Sequence, residues 1–188
     1  MRVRLELNQL NIDRPKKRWN IYFVVVTEHP TEVEKMVLAT IPTEAIKMVP
    51  SQNNEVTFDD GSPNSEGLLL LRRILPATKE LNVHFYVRHS RSSDRTVGEV
   101  LKDIQTEIGD NAMGTISDIH GTNNPWLIIA KTALPVISKI LTKLPDRDMG
   151  FISMFERFGK EFENEGNIDR QKTGAFSTVV YTWAIDED

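Results

Sequence analysis

Cysteine is absent from the 188 residues, which excludes a disulfide framework, a thiolate nucleophile and cysteine-ligated zinc. Other absences narrow the field further. There is no GxSxG elbow, no phosphate-binding glycine loop, no dinucleotide glycine fingerprint and no HExxH pair, so the common enzyme templates find no support. The first residues, MRVRLELNQL, alternate charged and apolar side chains where a secretory signal needs an unbroken apolar core. A cytoplasmic protein is therefore expected. Excess positive charge is lacking as well, since the formal net charge is −4, and nucleic acid is not an expected partner. From Gly150 onward four basic residues (Arg157, Lys160, Arg170, Lys172) face eight acidic ones, so the preceding 149 residues sum to zero and locally basic patches remain open.

What is present reads as a globular chain. A hydrophobic fraction of 39% with 27% charged residues is too apolar for disorder and too polar for a membrane protein, and the length suits one domain over residues 1–188. Strand patterns dominate both ends. Val3, Leu5 and Leu7 alternate with Arg2, Arg4 and Glu6, which predicts a strand buried on one side. Residues 19–27, WNIYFVVVT, predict a central strand covered on both faces. Shorter strands are expected at Lys35–Ile41 and Ala45–Val49, bounded by Pro42 and Pro50. Further strands are expected at Glu55–Phe58, Leu68–Ile74 and Gly150–Met154. In Leu81–Arg88, Leu81, Val83, Phe85 and Val87 should point inward, with Asn82, His84, Tyr86 and Arg88 outward. The last strand alternates Val179, Tyr181, Trp183 and Ile185.

Helical signals are confined to the stretch between. Thr96 and Glu99 form a capping-box pattern, and Val97, Val100, Leu101, Ile104 and Ile108 make one stripe that stops at Gly109. The glycine-punctuated segment from Gly109 to Gly121 reads as a loop or broken helix. Residues 124–144, NPWLIIAKTALPVISKILTKL, are the longest apolar run. Asn124 suits a cap, Pro125 suits the first helical position, and Pro135 should divide the run into Trp126–Leu134 and Val136–Leu144. Its internal lysines and Pro135 disfavour a membrane span. The resulting expectation is a mainly β protein: an antiparallel β-sandwich of about eight strands with a helical insertion at about residues 96–144.

Two segments carry a family resemblance. Residues 81–100, LNVHFYVRHSRSSDRTVGEV, in which Val97-Gly98 opens a new element, and residues 146–154, DRDMGFISM, resemble the calcium- and phospholipid-binding sandwich domains called C-two domains. That resemblance implies a ligand loop after the strand. The loop departs from the family's run of aspartates, carrying Arg88, His89, Arg91 and Arg95 with Asp94 alone acidic, which points to a basic, metal-independent surface. The capping pattern also makes residues 97–108 helical where the family has a strand.

The candidate sites follow from these patterns. Arg88, His89, Arg91 and Arg95, interleaved with serines, suit an anion, because guanidinium groups and hydroxyls donate to phosphate or carboxylate; a solvated strand end is the plain alternative. A second basic loop, Arg14, Lys16, Lys17 and Arg18 around Pro15, reads as a solvated turn or an anion loop. Trp126, Ile129, Lys131, Ile137 and Lys139 would mark a partner or membrane interface if the apolar face of that helix is exposed, and a lid on the core if it is not. Asp146 and Asp148, with Asp59 and Asp60 elsewhere, are the candidate oxygen ligands for calcium. His84 and His89, five residues apart, should face opposite sides of a strand and not share a metal. The leading expectation is a non-enzymatic binding or assembly module recognising a protein partner or an anionic surface. The alternatives are a peripheral module for anionic lipid, and a metal-dependent hydrolase built on Asp118, His120, Asp146 and Asp148.

Overall fold

In a computed structural model, which describes residues 1–13, 19–48, 54–58, 67–91, 97–109, 112–117 and 125–186, the first strand, β1 (Arg2–Ile12), shows how alternation builds a layer. Val3, Leu5 and Leu7 point into a core as their spacing predicts; the phase then slips by one residue, and Leu10 and Ile12 continue on the same face. A β-bulge between Leu7 and Gln9 absorbs the extra residue. β1 is central in a five-stranded sheet. On one side it pairs with β11 (Ser177–Asp186), which pairs in turn with β10 (Asn167–Thr173); on the other it pairs with β5 (Leu68–Ile74) and β4 (Glu55–Thr57).

The second sheet has six strands in the order β7 (Ala112–Ser117), β8 (Pro125–Ala130), β3 (Lys35–Met48), β2 (Trp19–Glu28), β6 (Glu80–His89) and β9 (Arg147–Arg157). Every pairing in both sheets is antiparallel. One face of this sheet meets the first: Phe23, Val25, Val37, Phe85, Trp126 and Ile152 share a core with Leu5, Leu71 and Trp183. Within it Phe23 stacks on Phe85 at 4.9 Å, and Phe158 meets Trp183 edge-on at 5.4 Å. The chain is thus mainly β, an antiparallel sandwich, with eleven strands among the described residues instead of about eight.

The other face of the second sheet is also covered. Tyr22, Val24, Val26, Leu38, Leu127 and Ile129 form a second core with two helices, α1 (Val97–Ile108) and α2 (Leu134–Lys143). On α1 Val100, Leu101, Ile104 and Ile108 of the predicted stripe are buried, the side chain of its fifth member, Val97, lying outside the described ones, and Gly109 follows at φ +61°, a value glycine adopts without strain. Thr96 of the expected capping box lies outside the described residues.

Several expectations need correction. Residues 126–130 are strand β8, and only 134–143 form the α-helix, joined by a single 3-10 turn at Lys131–Ala133. Pro135 sits in the first turn of α2, where its missing N–H costs nothing, so it starts a helix instead of dividing one. The region 96–144 therefore contributes two strands as well as helices, and β7 occupies part of the expected 109–121 loop. Pro42 does not end its strand: β3 runs from 35 to 48, with residues 42–45 bulging opposite Tyr22 between the pairs Phe23–Ile41 and Ile21–Ile46. The acidic stretch from Lys160 onward forms a short helix, α3 (Lys160–Glu165), and β10. Phe162 and Ile168 anchor them in the core, sparse apolar points in a charged sequence.

The open edge between the sheets is closed by charge and by close approach. Glu156 of β9 accepts from Arg170 of β10, Nε to Oε2 at 3.0 Å, so two edge strands are tied by an inward-facing ion pair. At Gly174, which follows β10, a Cβ would lie 2.8 Å from the Phe151 carbonyl oxygen. Only glycine lets that turn meet β9.

Candidate functional site

The side chains that read as an anion site do not converge. Arg88 is 1% exposed and turned toward α2. Its Nη2 donates to the Leu141 carbonyl at 2.7 Å and to the Asp146 carbonyl at 2.7 Å. Leu141 belongs to the last turn of α2, where carbonyls lack helical partners and the helix dipole favours a cation. Arg88 therefore caps α2 from the neighbouring sheet, and its placement on an outward, solvated face is corrected by the helical layer above it. His89 is half-buried, with Nδ1 3.2 Å from the Asn20 amide nitrogen, at the junction of β6 and β2. Arg91 is exposed, and its backbone N–H donates to Asp146 Oδ1 at 3.2 Å. Arg95 lies outside the described residues.

Asp146 is enclosed in the same network. Its Oδ2 accepts from the Tyr22 hydroxyl at 2.8 Å. Asp148, exposed, accepts from the Gly150 amide at 3.1 Å. The two carboxylates thus stabilise a buried tyrosine and a local turn, and they do not face a common point. Among the described residues no three His, Asp or Glu side chains gather as a metal would require. Asp59, Asp60, Asp118, His120 and the basic loop around Pro15 lie outside the described residues.

Burial also sets the ionisation of all three tyrosines of the chain. Tyr22, Tyr86 and Tyr181 are each raised above the ordinary value of 10.0, chiefly by loss of solvent; the Asp146 carboxylate adds to this at Tyr22 and Glu156 at Tyr181. Above pH 10 the unfolded chain releases protons that the folded chain retains. The associated stability is complete below pH 10 and is lost as pH rises through the folded values. An alkaline titration followed by tyrosinate absorbance should show no ionisation near pH 10 ahead of unfolding. One tyrosine titrating there in the folded chain would contradict this burial.

The residues expected to form a partner or membrane face divide cleanly. Trp126, Ile129 and Ile137 are fully buried, Trp126 in the sandwich and the other two beneath the helices, while Lys131 and Lys139 are exposed. The apolar face of α2 is consequently a lid on the core, because the six-stranded sheet offers it a matching apolar surface. This corrects the interface expectation for those three side chains. No helix among the described residues is long and apolar enough to cross a membrane.

An aromatic strip remains on β9. Residues 147–157 alternate Ile152, Met154 and Glu156 inward with Phe151, Ser153 and Phe155 outward, on the face that carries α1 and α2. The second core includes no residue of β9. Phe151 is 43% and Phe155 51% exposed. The Phe151 ring lies 4.8 Å from that of Tyr86 and stacks on His84 at 6.0 Å with a 12° tilt. Tyr86 is held by Ser138 of α2, hydroxyl to Oγ at 3.2 Å, so the strip starts where the helical layer ends. Burial lowers the His84 pKa below 6.5, outweighing nearby Glu28, and the ring is neutral at pH 7. Exposed Asp148 lies at one end of the strip and Arg157, paired with Glu80 at 2.6 Å, at the other. Its sequence signal was legible: in GFISMFER both phases of the alternation are apolar, more than a single buried face needs. Comparison with known proteins found no matching family model and no significantly similar curated sequence.

Proposed function

We infer that the chain is a non-catalytic binding module that docks a protein partner on the β9 strip. The observation that carries this is the exposure of Phe151 and Phe155 on one face, with Ser153 between them, of the one strand among β2, β3, β6, β8 and β9 that contributes nothing to the core beneath the helices. An aromatic centre held by packing, with a neutral histidine beside it and charges of both signs at its ends, has the anatomy of a protein–protein interface. A partner with an apolar anchor suits this surface better than an anion, since no cation stands at its centre. The sequence resemblance of residues 81–100 and 146–154 to C-two domains is in keeping with a binding role.

A photo-crosslinker at Phe155 should capture one defined protein from native lysate. Added unmodified chain should compete with that capture, and a Phe151→Ser/Phe155→Ser chain should not. Equal competition by both, with both melting alike, would rule out the strip as the docking surface. Loss of the Phe151 ring contacts costs only about 0.5–1.5 kcal/mol, so the double variant should remain folded.

A further inference from the structure

We propose that the outer face of the five-stranded sheet binds a neutral carbohydrate in the concavity lined by Gln9, Asn11, Asp13, Gln171, Thr178 and Val180. This surface lies on the opposite sheet from the β9 strip and does not depend on it.

The bulge in β1 creates the site. Without the extra residue after Leu7, continued alternation would turn Gln9 and Asn11 into the core; with it, Leu10 and Ile12 fill the core and the two amides emerge on the outer face. Bulges re-aim side chains in this way and recur beside ligand sites. The sheet register then assembles the rest. Gln171, Val180 and Gln9 form one row across β10, β11 and β1, and Thr178 and Asn11 belong to the next. Asp13 follows the end of β1, its amide donating to the Phe176 carbonyl at 3.0 Å, which brings Phe176, 37% exposed, close to the site.

The lining defines the ligand class. Its volume of about 330 Å³ is at the small end of the roughly 300–1,000 Å³ usual for small-molecule sites. Three primary amides can donate and accept, the Thr178 hydroxyl, paired with that of Thr173 at 3.0 Å, keeps a further lone pair, and Asp13 adds an acceptor. A polyol, whose neighbouring hydroxyls do the same, matches that set. Among the described residues no lysine or arginine lines the concavity, so these residues offer a phosphate or carboxylate no counter-charge. One carboxylate is far short of the six to eight oxygens, roughly, that calcium takes. Val180 supplies apolar surface for the C–H face of a sugar ring. One row further along, Asn8 Nδ2 donates to Thr182 Oγ1 at 2.6 Å and Thr182 Oγ1 donates to Asp169, so the polar surface beside the concavity is already ordered.

The test is an amide-resolved NMR titration of the full chain with lactose, maltose, cellobiose and diacetylchitobiose at tens of millimolar. Inorganic phosphate and calcium serve as comparison probes. The expected result is saturable shifts from at least one sugar, confined to residues 9–13, 171 and 176–180. Gln171→Ala and Thr178→Val should each weaken that binding up to about tenfold, the loss of one good hydrogen bond, while leaving the melting temperature in place. Absence of saturable shifts with all four sugars would overturn the proposal. So would shifts at these residues with phosphate or calcium alone, or sugar binding that both variants leave unchanged.

Discussion

Replacing Arg88 with methionine should destabilise the chain by about 3–5 kcal/mol, the usual result of breaking a buried charged network by removing one partner. In a chain of this size the melting temperature would fall by roughly 6–20 °C. The guanidinium donates to the Leu141 and Asp146 carbonyls, and it stands with the Asp146 carboxylate around the Tyr22 hydroxyl. Methionine fills much of the volume but leaves two carbonyls without that donor, and it removes one positive charge from the surroundings of Asp146, which is 5% exposed. The last turn of α2 should fray first. Arg91→Ala is the control, because that side chain is exposed and the contact to Asp146 is made by its backbone; a change within about 0.5 kcal/mol is expected. Urea unfolding of both variants distinguishes the roles. Equal, small effects would return Arg88 to the surface as an anion ligand.

Trp126→Ala should cost a similar amount, about 3–5 kcal/mol, as large aromatic truncations in cores do. Trp126 is fully buried in the sandwich, on a strand hydrogen-bonded to β3 on one side and β7 on the other, with register partners Ala39 and Ile116. Its removal leaves a cavity that flanking backbone, fixed in two ladders, cannot collapse to fill. Thermal unfolding is the measurement, with Lys131→Ala and Lys139→Ala as exposed controls expected within about 0.5 kcal/mol. An unaltered melting temperature would contradict the placement of 126–130 as a core strand.

The legibility of this chain followed the geometry of burial. The α1 stripe was readable because one helical face is apolar and the opposite one polar, and Gly109 marks its end within the sequence itself. β1 up to Leu7, β6 and β11 were readable for the same reason at period two. The stretch 125–130 was not. β8 is buried on both faces, Trp126 against the first sheet and Leu127 and Ile129 against the helices, and two-sided burial erases alternation, leaving an apolar run that fits helix or strand equally. The bulge at Asn8 was hidden too, since an added residue is visible only when the phase on either side of it is known.

By itself the sequence determined the mainly β class, the inward phase of the one-sided strands, the extent of α1 and the absence of cysteine chemistry. Tertiary structure alone decided which faces meet. A third layer over the second sheet turned Arg88 from a surface cation into a helix cap and made the apolar face of α2 a lid, while its limited reach left Phe151 and Phe155 uncovered. A side chain's inward or outward phase is local information; whether anything lies above it is set by contacts between residues far apart in the chain.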